Sequence, residues 1–414
     1  MATLHPTRRI NALMPLYSQR FACLGADCED SCCSGWTVVL DKKTYQSYRQ
    51  TKTAPLAVRL ETHVKRMRSQ ASDTTYARIE LMPDTGECPM LEERLCSVQN
   101  ALGEDRLSNV CFTYPRKVQQ TGDVYQQALT LSCPEAARLA LLAEDAFEFI
   151  ESELVFRPNT VERLQPKLGL TLDEMNDVRF FCLQIVRGEG LQLWQKLAML
   201  GLFCETLTRA LQTGEQARIT EIMQTTRDLI SSGQAADMFA GMAPHYGIQA
   251  VTFTMLWRAS KTIQMRPTHQ QVYEAMAKGL GADSATGMVS EDQLVARYEE
   301  GLALLPLALK ANPAFMENYV LNDMLREVFP FGLGKDSPQD QFLRLVTRFG
   351  LVRYMLAVQC RADEPLPSPI VLARTVQVFA RRFQHDSEFA AKVDTCFKNA
   401  GWDQLDKICR LLKP

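Results

Sequence analysis

Eight of the thirteen cysteines fall within the first 133 residues: Cys23, Cys28, Cys32, Cys33, Cys88, Cys96, Cys111 and Cys133. Cys182, Cys204, Cys360, Cys396 and Cys409 are scattered along the rest of the chain. Isolated cysteines on helical patterns are ordinary small buried residues, whereas the dense group demands a covalent or metal-based explanation. Disulfides would need an oxidising compartment. The amino terminus carries Arg8 and Arg9 but no continuous apolar stretch that would read as an export signal. The expectation is therefore a reduced, cytoplasmic setting, which leaves metal binding, a reactive thiol or packing as the role of the clustered cysteines.

The spacing narrows the choice of metal. Cys23-x4-Cys28-x3-Cys32-Cys33 is followed by Cys88-Pro89, Cys96, Cys111 and Cys133-Pro134. One helical turn would put Cys28 and Cys32 on the same face, while the adjacent Cys32 and Cys33 diverge and are not expected to hold one metal atom. They could still meet different irons of one cluster, or one could be structural. The paired C-x2-C knuckles of zinc sites are missing. Irregular thiolate spacing with two Cys-Pro steps looks more like iron–sulfur ligation, although the familiar C-x3-C-x2-C triplet is broken by Gly35.

The cysteines coincide with a change of periodicity. Residues 1–135 form an irregular segment with short strand-like runs at Thr37–Leu40, Ala77–Leu81 and Val124–Leu131, punctuated by Pro and Gly. From Pro134 onward the apolar period is helical, as in Leu193, Leu197, Leu200, Cys204, Leu207 and Leu211. Similar patterns recur at 251–263, 294–309, 342–358, 371–383 and 389–397. Thr171-x-x-Glu174 and Ser290-x-x-Gln293 read as capping boxes. The expected fold is mainly α: a small Cys-rich irregular α+β metal-binding region over 1–135, then a large all-α domain over 136–414, with a candidate subdivision near 280–290, where glycines loosen the chain. A formal net charge of −2 and pI near 6.3 argue against a nucleic-acid partner. No apolar run reaches membrane-spanning length.

Longer motifs carry a family resemblance. Pro15, Tyr17, Phe21, Cys23, Cys28, Asp30, Cys32, Cys33, Gly35 and Trp36 lead into Asp41, Thr44, Tyr45 and Tyr48. A second block runs through Cys88-Pro89, Leu95-Cys96, Leu102-Gly103 and Val110-Cys111-x2-Tyr114-Pro115-Arg116. A third is Glu317-Asn318-Tyr319 with Phe329-Pro330. In these blocks the chain resembles the flagellin lysine-N-methylase family of bacteria, most strongly over 15–133. Its amino-terminal part is also similar to CxxCxxCC-type zinc- or iron-chelating domains. The resemblance implies a protein-lysine N-methyltransferase that takes methyl groups from S-adenosylmethionine, has flagellin as substrate and carries a [4Fe–4S] cluster. The expected ligands are Cys28, Cys32, Cys33 and Cys111, with Cys23, Cys88, Cys96 and Cys133 as alternates.

An amine attacks a sulfonium methyl only when neutral, and a sulfonium favours aromatic faces and carboxylates. Within the matching blocks the candidates for catalysis are Asp30, Tyr45, Tyr114, Glu317 and Tyr319, and for cofactor binding Trp36 and Asp41. The plainer alternatives are that Trp36 and Tyr45 are core, Asp30 caps a turn and Glu317 faces solvent. Gly279-Leu280-Gly281 lacks a preceding strand, so it reads as a helix terminator rather than a nucleotide loop. The five histidines (His5, His63, His245, His269 and His385) are isolated from the cysteines and from each other in sequence. Arg59, Lys65, Arg66 and Arg68 read as a solvated helix face. Two other function classes remain open: a non-catalytic metal module with a partner-binding helical domain, and a cluster-based electron-transfer protein.

Overall fold

Strong start signals set out the helices. Thr171 and Ser337 each close a capping box, and proline opens four helices at positions where its missing N–H costs nothing. The computed structural model describes residues 3–69, 71–259, 266–282, 289–384, 393–395, 397–399 and 401–414. Its helical part comprises α6 (Pro134–Leu142), α7 (Leu172–Arg187), α8 (Leu193–Gln212), α9 (Ile219–Ser231), α10 (Gln234–Ala240) and α11 (Tyr246–Ala259). It continues through α12 (Pro267–Leu280), α13 (Glu291–Ala308), α14 (Phe315–Arg326), α15 (Pro338–Ala357), α16 (Pro369–Phe383) and α17 (Leu405–Leu412). The fold is mainly α, as expected. Ser290 caps α13 through its hydroxyl, but the Gln293 side chain turns away to the carbonyls of Leu280 and Gly281, so the reciprocal half of that box is not made. Gly281, at φ +65°, ends α12 in the left-handed conformation, which matches the terminator reading. Parts of the 251–263 and 389–397 patterns and of the 280–290 stretch, with His385 and Cys396, lie outside the described residues.

Helix α15 is buried on nearly every side and forms the axis of the main core. It packs against α8, α11, α13, α14, α16 and α17. Close approach is enforced at Gly301 of α13, where an added Cβ would sit 2.0 Å from the Ala357 carbonyl oxygen.

The amino-terminal part uses short strands. β1 (Arg8–Pro15) and α1 (Leu16–Gln19) open the chain, and β1 pairs antiparallel with β9 (Phe149–Phe156). β2 (Val38–Leu40), β3 (Val64–Arg66) and β4 (Ala77–Ile79) form a three-stranded sheet in the order β2-β4-β3, with α2 (Lys42–Arg49) and α3 (Leu56–His63) between β2 and β3. The basic stretch is therefore not one helix face: Arg59 is on α3, whereas Lys65 and Arg66 are on β3. A two-residue hairpin, β5 (Leu91–Glu92) and β6 (Leu95–Cys96), leads into α4 (Ser97–Leu102), and α5 (Asn109–Thr113) follows. β7 (Arg116–Thr121) and β8 (Val124–Leu129) make a hairpin turned at Gly122, and β10 (Glu162–Arg163) adds in parallel to β7. Strand pairing thus extends past the expected boundary at 135, to Arg163.

Three buried clusters lie among the described residues, one of them where β1, β7 and β9 meet through Met14, Val118, Leu154 and Phe156. The sheet β2-β4-β3 covers a small core containing Leu40, Leu60, Ile79, Met90 and Cys88. The main core runs from Tyr17 through the helices to Leu412. Within the main core Tyr17 ties α1, β8 and α14 together: its buried hydroxyl accepts from the Leu129 N–H (2.9 Å) and Asn322 Nδ2 (2.6 Å). No helix among the described residues is long and apolar enough to cross a membrane.

Candidate functional site

Backbone pairing gathers the thiols. The Cys88 N–H donates to the Cys33 carbonyl (2.8 Å) and the Gly35 N–H to that of Gly86 (3.0 Å), which stitches the first cysteine loop to the second block. The Leu91 N–H then donates to Cys88 O, and the β5–β6 hairpin folds Cys96 back across from Leu91. Ser108 caps α5 by accepting from the Cys111 N–H at 3.2 Å. Arg157, 1% exposed, locks the preceding turn. Its guanidinium donates to the carbonyls of Leu107, Glu104 and Asp105 and lies 4.0 Å from the Phe112 ring centre.

Cys33, Cys88, Cys96 and Cys111 accordingly all belong to the small core or pack against it. Cys32 is the common neighbour: it contacts Cys33 and lies within electrostatic reach of Cys28, Cys88, Cys96, Cys111 and Cys133. All twelve described cysteines are free, so the disulfide alternative fails for them. Among the described residues, no three His, Cys, Asp or Glu side chains are drawn together as one metal ion requires.

The donor set nevertheless suits thiolate chemistry. Cys96 and Cys133 stand at the N-caps of α4 and α6; neither sulfur makes a cap hydrogen bond, but the nearby backbone N–H groups of Val98 and Gln99, and of Glu135 and Ala136, favour its charged form. Met90 serves Cys88 in the same way, and the Ser108 hydroxyl serves Cys111. Such donors favour charged sulfur and tune iron–sulfur centres. Burial works against them, raising Cys88 to about 11 and Cys111 and Cys133 each to about 12. The contact with Cys33, then burial, raises Cys32 further. The thiols are thus neutral at pH 7 unless a bound cationic centre reverses the balance. The sulfur-rich donor set suits such a centre in its chemistry, with Cys32 as the neighbour common to Cys28, Cys33, Cys88, Cys96, Cys111 and Cys133, although among the described residues the side chains are not drawn together as a single-ion site. Cys23 is exposed.

Beside Cys32 lies a cavity of about 140 Å³ lined also by Ser34, Gly35, Trp36, Tyr114, Ser132 and Arg381. The Trp36 and Tyr114 rings meet edge to face at 4.6 Å, and the Tyr114 hydroxyl is 3.1 Å from Ser132 Oγ. Arg381 arrives from α16, donating to Asp30 (3.0 Å) and to the carbonyls of Ser31 and Ser34. Asp30 is 5% exposed and also accepts from Arg266 and from Gln377 Nε2 (2.7 Å). It is neither a turn cap nor a free base; its oxygens bind the cysteine loop to α16 and to Arg266, the N-cap of α12. His269, 1% exposed on α12, faces Asp30, Arg381, Arg266 and Arg382, and neither ring nitrogen has a hydrogen-bond partner among the described residues. Burial chiefly, helped by those arginines, lowers it to about 4.

The remaining candidates are elsewhere. Asp41 caps α2 through the Thr44 N–H (3.0 Å), lies 3.6 Å from His5 and lines a different cavity, of about 450 Å³. Tyr45 packs 5.2 Å from Tyr76 against the small core. Glu317 is bound by Lys196 at 2.7 Å rather than simply solvated. Tyr319 is fully buried near Phe379, its hydroxyl unpartnered among the described residues. Neither Glu317 nor Tyr319 lines the cavity beside Cys32. Sequence reasoning missed Arg266, His269, Gln377 and Arg381. Arg381, in the last turn of α16, looks like an ordinary charge complementing a helix end.

The fold and this site define a helical protein whose free, mostly half-buried thiols sit in an amino-terminal unit of short strands clamped to its helices. Residues 179–411 match the family described as FliB lysine N-methylase C-terminal domain, and the chain belongs to that family. It is 24% identical over 388 residues to the lysine-N-methylase of Salmonella typhimurium, covering 92% of this chain and 94% of that protein. The lysine-N-methylase of Salmonella choleraesuis matches to the same extent. A flagellar biosynthetic protein, FliU of Salmonella muenchen, is 31% identical over 157 residues, covering 38% of this chain and 92% of that protein. No solved structure matches.

Proposed function

We propose that this protein is a cytoplasmic methyltransferase that modifies lysine ε-amines of flagellin, with S-adenosylmethionine as donor and a [4Fe–4S] cluster held by the gathered amino-terminal thiols. Family membership supports lysine methylation, and the flagellar relative supports the substrate. The observation that carries the reading is the cavity in which Cys32, Trp36, Tyr114 and Arg381 meet.

S-adenosylmethionine, when bound, supplies a methyl group on a cationic sulfur. The chain must deliver a neutral amine to it, and free lysine has a pKa near ~10.4. A lysine tip entering the cavity loses water and meets the Arg381 cation, and both effects favour the neutral amine. The faces of Trp36 and Tyr114 tolerate positive charge and orient the tip. The amine lone pair forms the N–C bond as the C–S bond breaks, and the product ammonium returns a proton to solvent. Asp30, saturated by two arginines and a glutamine, positions Arg381 and the cysteine loop.

The test is incubation of anaerobically purified, iron- and sulfide-assayed protein with S-adenosylmethionine and flagellin, read by mass spectrometry. Lysine peptides heavier by whole methyl increments are expected. Unmodified flagellin from cluster-loaded protein would leave only a metal module or an electron carrier.

A further inference from the structure

A second cavity, of about 520 Å³, shares α5 with the thiol site: Phe112 and Thr113 line it, while Cys111 of the same helix packs against the small core. Its other walls come from β1, α1, β7, β8 and β9. Arg116 at the start of β7 projects along it, with its guanidinium carbon 5.1 Å from the Phe21 ring centre. Among the described residues this half-buried cation has no hydrogen bond or ion pair; Glu104, Cys23 and Cys133 are only electrostatic neighbours. A desolvated guanidinium without an acceptor is costly, and a carboxylate is the acceptor its fork fits.

Two further groups are unsatisfied in the same walls. Gln127, 5% exposed, donates through Nε2 to Ser18 Oγ at 2.8 Å and leaves Oε1 unpartnered. Thr113 Oγ1 is also buried without a partner. A free cation, an acidic side chain (Glu104), an aromatic face and two orphaned polar atoms around one cavity match a zwitterionic ligand with a flat, polar body. The volume is that of small-molecule and cofactor sites, which run to about 300–1,000 Å³. The cavity beside Cys32, at about 140 Å³, falls below that range.

We propose that the 520 Å³ cavity binds the methyl donor by its amino-acid end, with the α-carboxylate paired to Arg116 and the α-ammonium facing Glu104. The adenosyl part finds Gln127 Oε1 and Thr113 Oγ1, and transfer requires the methyl-bearing sulfur to reach the cavity beside Cys32 past Thr113 and Tyr114, consecutive residues that line one cavity each. This rests on the reading that the protein uses S-adenosylmethionine. It assigns a role to Arg116, which the sequence motif contains but the thiol site does not use.

Calorimetric titration of the full-length, cluster-loaded protein tests the assignment with two probes. S-adenosylhomocysteine carries the amino-acid end; 5′-methylthioadenosine has the same adenosyl thioether without it. Arg116→Gln should weaken S-adenosylhomocysteine at least tenfold and leave 5′-methylthioadenosine and the iron content unchanged. Arg116→Lys, which keeps charge but loses the fork, should fall between. Thr113→Val, an isosteric change, should weaken both probes several-fold and serves if the arginine variants do not fold. Wild-type affinity for S-adenosylhomocysteine in folded Arg116→Gln, or in Thr113→Val where only that variant folds, overturns the assignment and leaves the donor reading standing. Wild-type protein that binds neither probe overturns both.

Discussion

Replacing Asp30 with alanine removes the one carboxylate that two arginines and a glutamine converge on. Its side chain is 3% exposed, and those of Arg266 and Arg381 are 18% and 13% exposed, so water replaces little of what is lost. Arg381 keeps its carbonyl acceptors on Ser31 and Ser34, but the two cations, which repel each other, would lose the carboxylate bonded to both and keep only the unbonded Glu87 near Arg266. Removing one partner of a buried ion pair costs about 3–5 kcal/mol. That is a large share of the roughly 5–15 kcal/mol that holds a folded protein together. The melting temperature should fall by about 5 °C or more, as expected for several kcal/mol in a chain this long. Differential scanning calorimetry of the wild type, Asp30→Ala, Arg381→Ala and the double variant gives the coupling directly. The double variant should be less destabilised than the two singles summed, by more than ~0.5 kcal/mol. Additive losses, or an Asp30→Ala melt within a degree of wild type, would refute the clamp.

Acid should act through His269. Its folded value of about 4 lies below the unfolded 6.5, so the stability it contributes is complete above pH 6.5 and is lost as pH falls toward 4. By pH 5 the wild type should lose about 2 kcal/mol more than His269→Leu, measured by urea unfolding at each pH. Gly301→Ala places a methyl on the Ala357 carbonyl and should cost about 1–3 kcal/mol in the same assay, by forcing α13 off the end of α15. Serine at Cys32, Cys88, Cys96 or Cys111 should strip iron from anaerobically purified protein, while serine at the helix-core Cys204 should not; equal loss at both kinds of site would remove the thiol group as ligand set. Tyr114→Phe keeps the ring against Trp36 and should retain most methylation, whereas Trp36→Ala should lower it by about tenfold or more, the scale of lost orientation in a site.

Much of the helical part could be read directly. The Leu193–Leu211 stripe became α8, Thr171 and Glu174 closed their capping box, and residues 342–358 became the buried axis α15. The short runs expected at 37–40, 77–81 and 124–131 became strands over the shorter spans 38–40, 77–79 and 124–129. β1 and β9 escaped notice because neither alternates cleanly; each is a strand only because it pairs with a partner more than a hundred residues away. The site was legible in one dimension. Cys32, Trp36, Tyr114 and the cysteine blocks stood out, and three of those elements share a cavity. Asp41, Tyr45, Glu317 and Tyr319, drawn from the same motifs, lie away from it.

Local chemistry is written along the chain: apolar period, caps, prolines and the crowding of thiols act over a few residues, so the order of residues alone settled the mainly helical class and the kind of atom the amino-terminal part presents. Which sulfurs become neighbours, and what Asp30 binds, depends on groups brought from 236 and 351 residues away, and that arrangement exists only once the helices pack. A charge on a helix face carries no mark of its partner; desolvation against that partner, created by folding, is what turns Arg381 from a surface cation into a wall of the site.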